Sequence, residues 1–389
     1  MLGGGLCAES ERRLEQRRLD NKVDRRELEA AFGNRLQGGK EGLDLAVLAS
    51  IAYDDNIFQG VEGEEVGDVV MQVEPVIGWV MGERGKGTWL RAAYEGAWIL
   101  YFDNNEADRI DNRLRLEGEF RRKALVLAYS ARWAKLGSPS TDVGGTSDRQ
   151  EWGVRVGIGY DPEGKWAYDL YVERSAVDQD DGDLFDIWET GFGGRATFVY
   201  SPKTQVEFEL ASGTIEVDGT GDQQFTRLSS QFFWRPRPKI AVALQAGLDR
   251  RDYVDGSSAE PFYNARVSWT PRTGTSFYLE GYRREQASAA LQGENFELFG
   301  LRLGTSQRIR DGWSAGLEFC WENAKYFAIS GLPESGREDD IIFIRPSLKY
   351  QFGEKAEVLV LYQFSQNSSS DPAFGYDNHQ FGVSMNYQF

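Results

Sequence analysis

From Leu43 to Phe389 the apolar residues recur at every second position. That is the period of a β-strand, whose successive side chains point to opposite faces. In "WGVRVGIGY" the residues Trp152, Val154, Val156, Ile158 and Tyr160 alternate with Gly153, Arg155, Gly157 and Gly159. In "WSAGLEFCW" Trp313, Ala315, Leu317, Phe319 and Trp321 alternate with Ser314, Gly316, Glu318 and Cys320. The helical period does not return after residue 42. Eighteen such segments fit between residues 43 and 389, leaving about 19 residues for each strand and its connection. Tilted membrane strands need roughly 9–11 residues, which leaves room for loops.

The connections alternate as well. Short ones, near Glu83–Lys86, Arg121–Lys123, Asp161–Lys165, Pro236–Lys239 and Gly353–Lys355, carry Lys or Arg. Between them fall longer stretches rich in Gly, Ser and Asp, such as "GSPSTDVGGTSDR" and "DQDDGD". Short turns on one rim and long loops on the other mark an antiparallel meander. Trp and Tyr recur at the ends of the apolar faces, as at Trp79, Trp98, Trp133, Trp188, Trp269 and Tyr350. Two membrane interfaces account for such girdles. A propeller would show a motif every 40–50 residues or so, and none is present. Closure also removes the edge strands that an open sheet of this width would expose. The mean hydropathy of −0.50 is no objection, because lumen-facing residues cancel lipid-facing ones. The expected fold is therefore all-β: a transmembrane up-and-down antiparallel β-barrel of about 18 strands, preceded by a short N-terminal helix. An even strand number puts both termini on the short-turn rim.

Three segments are expected. Residues 1–8, "MLGGGLCA", have the small apolar make-up of a signal-peptide remnant. Residues 9–42 form a charged helical extension in which Leu14, Leu19, Val23, Leu28, Phe32 and Leu36 recur at four- or five-residue steps before Gly38-Gly39. It is too polar for a core helix. A periplasmic extension, a partner-binding helix and a frayed segment all remain open for it. Residues 43–389 form the barrel.

The final strand, "HQFGVSMNYQF", places Phe381, Val383, Met385, Tyr387 and Phe389 on one face. It resembles the C-terminal sorting signal of bacterial outer-membrane proteins. The resemblance implies an assembly signal read by the outer-membrane assembly machinery, and a Gram-negative outer-membrane location. The first strand, "LASIAYDDNIFQG", resembles the opening of a large family of bacterial β-barrel porins linked with exopolysaccharide secretion. That resemblance implies a transport function, with polysaccharide export within its range.

The inward phase supplies a candidate pore lining: Arg91, Glu95, Arg115, Glu117, Arg155, Glu189, Arg195, Glu207, Arg227, Arg266, Glu280, Arg302, Glu318, Arg345 and Lys349. The two signs interleave on neighbouring strands, as expected of a diffusion pore that pairs its charges rather than of a channel selecting one sign. Inward aromatics, among them Tyr171, Phe225, Phe233, Tyr278, Tyr282 and Phe343, are candidates for stacking on sugar rings or for filler. Enzyme chemistry is not expected. One histidine, His379, leaves no triad and no His-rich zinc site. The carboxylate pairs Glu117/Glu119 and Glu207/Glu209 are what any polar pore wall supplies. The "DQDDGD" run fails calcium-loop spacing at Gly182, so no cofactor or metal is expected. A net charge of −17 excludes nucleic acid as a partner. The expected partners are outer-membrane lipid and lipopolysaccharide, and a hydrophilic solute or polysaccharide. The expected function is an outer-membrane channel for hydrophilic solutes, including exported polysaccharide; the alternative is a plugged scaffolding barrel that binds a periplasmic or cell-surface partner.

Overall fold

The computed structural model describes residues 41–389 apart from 141, 163, 255, 330, 332 and 333. The expected signal remnant and N-terminal helix lie outside the described residues.

The strands are β1 (Gly42–Asp54), β2 (Asp68–Glu83), β3 (Lys86–Tyr101), β4 (Arg109–Arg122), β5 (Leu125–Leu136), β6 (Pro139–Ser140), β7 (Gly145–Thr146), β8 (Arg149–Tyr160), β9 (Trp166–Gln179), β10 (Ile187–Ser201), β11 (Thr204–Val217), β12 (Gln223–Arg237), β13 (Ile240–Tyr253), β14 (Gly256–Arg272), β15 (Thr275–Ala287), β16 (Glu294–Arg310), β17 (Trp313–Ala328), β18 (Glu338–Phe352), β19 (Ala356–Ser369) and β20 (Tyr376–Gln388). Eighteen of them form one antiparallel sheet, each paired with its neighbour in sequence. β6 and β7 form a separate two-stranded hairpin inside the loop between β5 and β8. β20 pairs with β1, from Ala46↔Gln388 to Asp54↔Gln380, and closes the barrel. Closure satisfies every ladder without an edge, as a sheet in hydrocarbon requires.

The turns on one rim are tight. Gly274 (φ 81°) and Gly312 (φ 76°) occupy the left-handed conformation that hairpin turns demand and side chains resist. On the opposite rim the connections are long, with one exception. β13 and β14 pair out to Tyr253↔Gly256, so β14 begins at Gly256. Its Ser257-Ser258 stretch has loop composition, but the ladder continues through it.

The exterior follows the period-two pattern. Leu125, Leu127, Ile158, Leu170, Val172 and Leu210 are exposed along it. Aromatics gather at its two ends: Trp313 lies 4.8 Å from Tyr350, Trp269 5.4 Å from Phe277 and Trp166 4.7 Å from Phe198 on the short-turn side. On the loop side Trp133 and Trp152 face one another in register. An apolar band between aromatic girdles is the surface a bilayer selects. The chain is an outer-membrane-type barrel.

Candidate functional site: the barrel interior

The positions out of phase with the apolar exterior point inward, and the register sets opposite charges side by side. Arg91 faces Glu117, Arg155 faces Glu173, Arg195 faces Glu209, Arg227 faces Asp249, Arg266 faces Glu280 and Glu318 faces Arg345 across adjacent strands. The side chains meet. Arg195 reaches Glu207 at 3.0 Å and Glu209 at 3.4 Å. Arg227 bridges Glu189 and Asp249, each at 2.9 Å. Arg266 binds Glu280 at 2.9 Å and Arg302 approaches Glu322 at 3.4 Å. Arg345 pairs with Glu318, Lys349 with Glu357 at 3.4 Å, and Arg91 with Glu117 at 3.7 Å. Glu95 lies opposite Arg113, and Arg115 opposite Arg132. Direct neighbours of opposite sign stabilise a ladder, and each fixes its partner's rotamer.

The inward aromatics serve these arginines. The Arg155 guanidinium lies 3.5 Å from the Tyr171 ring centre, Arg227 4.2 Å from Phe225, Arg266 4.5 Å from Tyr278 and Arg302 5.3 Å from Tyr282. The Tyr171 hydroxyl donates to Glu209 and that of Tyr282 to Glu322. Phe225 and Tyr282 are buried, as are Phe233 and Phe343. Of the two sequence readings of these rings, sugar platforms and filler, the packing favours the second. A ring covered by a guanidinium and by its neighbours presents no free face. The carboxylates Glu207 and Glu209 are likewise committed, to Arg195 and to Tyr171.

The loop rim holds a feature that sequence reasoning missed. The loop of residues 137–148 joins the fifth and sixth barrel strands, yet its tip binds loops near the fourteenth, fifteenth and seventeenth, on the far wall. Asp142 is buried there. Its Oδ1 accepts from Ser288 Oγ at 2.7 Å and Tyr326 Oη at 3.2 Å. Its Oδ2 accepts from the amides of Ala289 at 2.5 Å and Ala290 at 3.3 Å. Arg337 donates to its backbone carbonyl at 2.8 Å, pairs with Asp339 at 2.5 Å, and covers the Phe374 ring at 3.5 Å. Gly144 sits so close to Phe374 that a Cβ there would lie 2.7 Å from the ring. The segment is therefore a strap across the mouth. Burial pushes the Asp142 carboxyl above its ordinary 3.8, although the hydrogen bonds from Ser288, Ala289 and Tyr326 and the charge of Arg337 oppose the shift. An isolated Asp flanked by Ser, Thr and Gly carries no sequence mark of such a role.

The remaining candidates are placed as follows. Phe381, Val383, Met385, Tyr387 and Phe389 face outward from β20 at the closing seam, where the Phe389 amide donates to Leu45 O at 3.0 Å. His379 is on the same outer face, 2.7 Å from the Tyr362 hydroxyl. In the acidic loop Asp180, Asp181 and Asp183 are exposed, while Asp178 accepts from the Trp152 indole at 3.3 Å.

No protein-family model matches the chain, and no curated protein matches it. Solved structures do. OccK2 (OpdF) of Pseudomonas aeruginosa superposes with a TM-score of 0.51 at 12% identity, over 91% of this chain and 100% of that one. The same protein in complex with glucuronate gives 0.50 at 12%, with the same coverage. The outer membrane protein OpdK of Pseudomonas aeruginosa gives 0.49 at 13%, over 90% and 100%. At such identities the likeness is one of fold: a large closed barrel of the bacterial outer membrane.

Proposed function

We propose that the protein is a porin-like channel that admits small hydrophilic solutes through the bacterial outer membrane. The observation that carries this is the contrast between its two surfaces. An apolar band with aromatic girdles faces out, and a polar wall of paired charges faces in. A scaffold has no need of a polar inner wall, whereas a solute path does. Of the two solute classes that the sequence leaves open, the strap favours the smaller. A polysaccharide chain would require residues 137–148 to leave the far wall and give up the Asp142 contacts. The wall of paired charges selects weakly. The acidic loop rim, with Asp180, Asp181 and Asp183 exposed, concentrates cations at low ionic strength and loses that effect as salt rises. Planar-bilayer recording of the purified barrel tests the reading. A conducting channel with mild cation preference at low salt is expected; a correctly folded barrel that never conducts, or firm anion selectivity, overturns it.

A further inference from the structure

Near the middle of β10–β14 the register sets five inward residues in one row: Arg195, Glu209, Ser229, Gly247 and Phe262. Large side chains stand at its ends and small ones between them. Neighbouring strands lie about 4.8 Å apart, so the wall dips over Ser229 and over Ala211 beside it. The dip is a shallow recess, bounded by Arg227 toward the loop rim and by Gln245 toward the turn rim. Counting the open lumen at its mouth, it holds about 290 Å3. Small-molecule sites run from roughly 300 to 1,000 Å3, so the recess seats nothing larger than a single sugar ring. Phe262 closes one end. Its ring leans over Gly247, where a Cβ would lie 2.7 Å from two ring carbons, and the missing side chain lets it settle there. Tyr171, Phe225, Tyr278 and Tyr282 lie under guanidinium groups. Among the described residues no guanidinium and no other ring covers Phe262.

We propose that this recess is a binding subsite for a neutral polyhydroxylated solute, a single sugar ring, in transit through the barrel. Two observations carry the assignment. The first is Ser229. It is 8% exposed and lines the recess, yet its hydroxyl has no hydrogen-bond partner among the described residues. The Gln245 amide, also in the lining, has none either. Polar groups so placed are ordinarily satisfied, and a solute hydroxyl, donor and acceptor at once, satisfies both. The second is that the charges of the lining are already spent. Glu173 pairs with Arg155 at 3.7 Å and Glu209 with Arg195 at 3.4 Å. Arg227 gives its Nε to Asp249 and its Nη1 to Glu189, each at 2.9 Å. An ionic solute would compete with these pairs, whereas hydroxyls use what they leave over: further carboxylate lone pairs and the Arg227 Nη2. The C–H face of a sugar ring is weakly positive and settles on the negative face of an aromatic ring, which Phe262 supplies. Contacts of this kind hold a solute weakly, as passage requires.

This inference rests on the channel reading and names its solute class. The two fail separately. The purified full-length chain is titrated with D-glucose in detergent, with binding followed by saturation-transfer NMR, and the same preparation is recorded in planar bilayers. Saturable glucose binding is expected, with glucuronate and glucosamine bound more weakly. Ser229→Leu fills the floor of the recess and is expected to weaken glucose about tenfold. Phe262→Leu keeps an apolar side chain but removes the ring face, and is expected to weaken it several-fold. Ser130→Leu, which faces inward on β5 away from the recess, leaves it unchanged. Should Ser229→Leu fail to fold, Gln245→Leu carries the same expectation. No saturable binding to the folded barrel, tighter binding of either charged analogue, or equal binding in the recess variants and the unmodified chain overturns the subsite, even where the barrel conducts. Saturable, variant-sensitive binding by a barrel that never conducts overturns the channel and leaves the recess a sugar site without passage.

Discussion

The two halves of the inner wall obey the same period-two rule and yet are different surfaces. From β8 to β18 the inward positions hold arginines, their carboxylates and the aromatic rings between them, as in Arg266, Glu280 and Tyr278. From β19 through β20 to β3 small and aliphatic residues such as Ala46, Val76 and Leu361 are set among uncharged polar groups such as Gln363 and Gln380 and a few charges such as Glu74. The first half is held by directional pairs that leave little room for exchange. The second is held by burial, which is indifferent to partner. The alternation thus fixes which face is in, while the chemistry of the inward face sets what holds each stretch of wall together.

The most severe test leaves both halves in place and removes the seam between them. Deleting Phe389 removes the exposed aromatic that ends the outward row of β20 and the amide that donates to Leu45. Loss of heat-modifiable barrel from the outer membrane, with synthesis unchanged, is expected on gels. Normal assembly would sink the sorting-signal reading.

Next in size is a direct comparison of the halves. Glu280 is 1% exposed and bonded to Arg266 and Asn264. Glu280→Ala strands a buried guanidinium and is expected to cost about 3–5 kcal/mol. Val76→Ala removes only apolar volume, at about 1–2 kcal/mol. Urea unfolding in lipid vesicles measures both. Equal losses would mean that water reaches the Arg266–Glu280 pair readily enough to replace a lost partner.

A third pair of substitutions tests the phase on which the comparison depends. Leu317 faces lipid in β17, and Gly316 faces inward, with Ser347 Oγ 2.7 Å from where a Cβ would sit. Leu317→Arg is expected to cost about 2–4 kcal/mol near mid-bilayer. Gly316→Arg folds, with Ser347 giving way, and lowers conductance. The reverse order of damage would invert the assignment of faces.

Much of this was legible because a strand's period is an integer. The eight tight turns, the closing strand and the inward charges all follow from alternation that does not drift, so Arg195 or Glu280 is placed by counting. What lay beyond reach needed three dimensions. Ser257 and Ser258 have loop composition, but the short β13–β14 turn draws them into a ladder. Tyr171 and Tyr282 stayed undecided between sugar platform and filler because the guanidinium that covers each belongs to another strand. Asp142 was invisible because its partners are 146 to 195 residues away, and no local pattern encodes a contact across a barrel.

The smallest expected effect concerns that contact, where the strap from β5–β8 lands beside the loops that crown β15–β20. Asp142→Ala leaves the hydroxyls of Ser288 and Tyr326 and the amides of Ala289 and Ala290 without their acceptor, at about 1–3 kcal/mol of strap seating. The Arg337 bond to the backbone carbonyl survives it, so a partial release is expected, seen as a modest rise in conductance. The groups facing Asp142 set the pH response. Tyr326 comes from β17, and Arg337, itself paired with Asp339, from the segment leading into β18. Burial raises the carboxyl above 3.8 in the seated strap, so the seated form holds a proton more tightly than the released one. By linkage, seating is strongest at low pH and weakens as pH rises from 3.8 through the raised value. Conductance of the unmodified chain is therefore expected to fall on acidification from neutral towards that range, and Asp142→Asn, which does not titrate, to flatten the response. A response as steep in Asp142→Asn would place the titrating group elsewhere on the rim and leave the strap held by Arg337 alone.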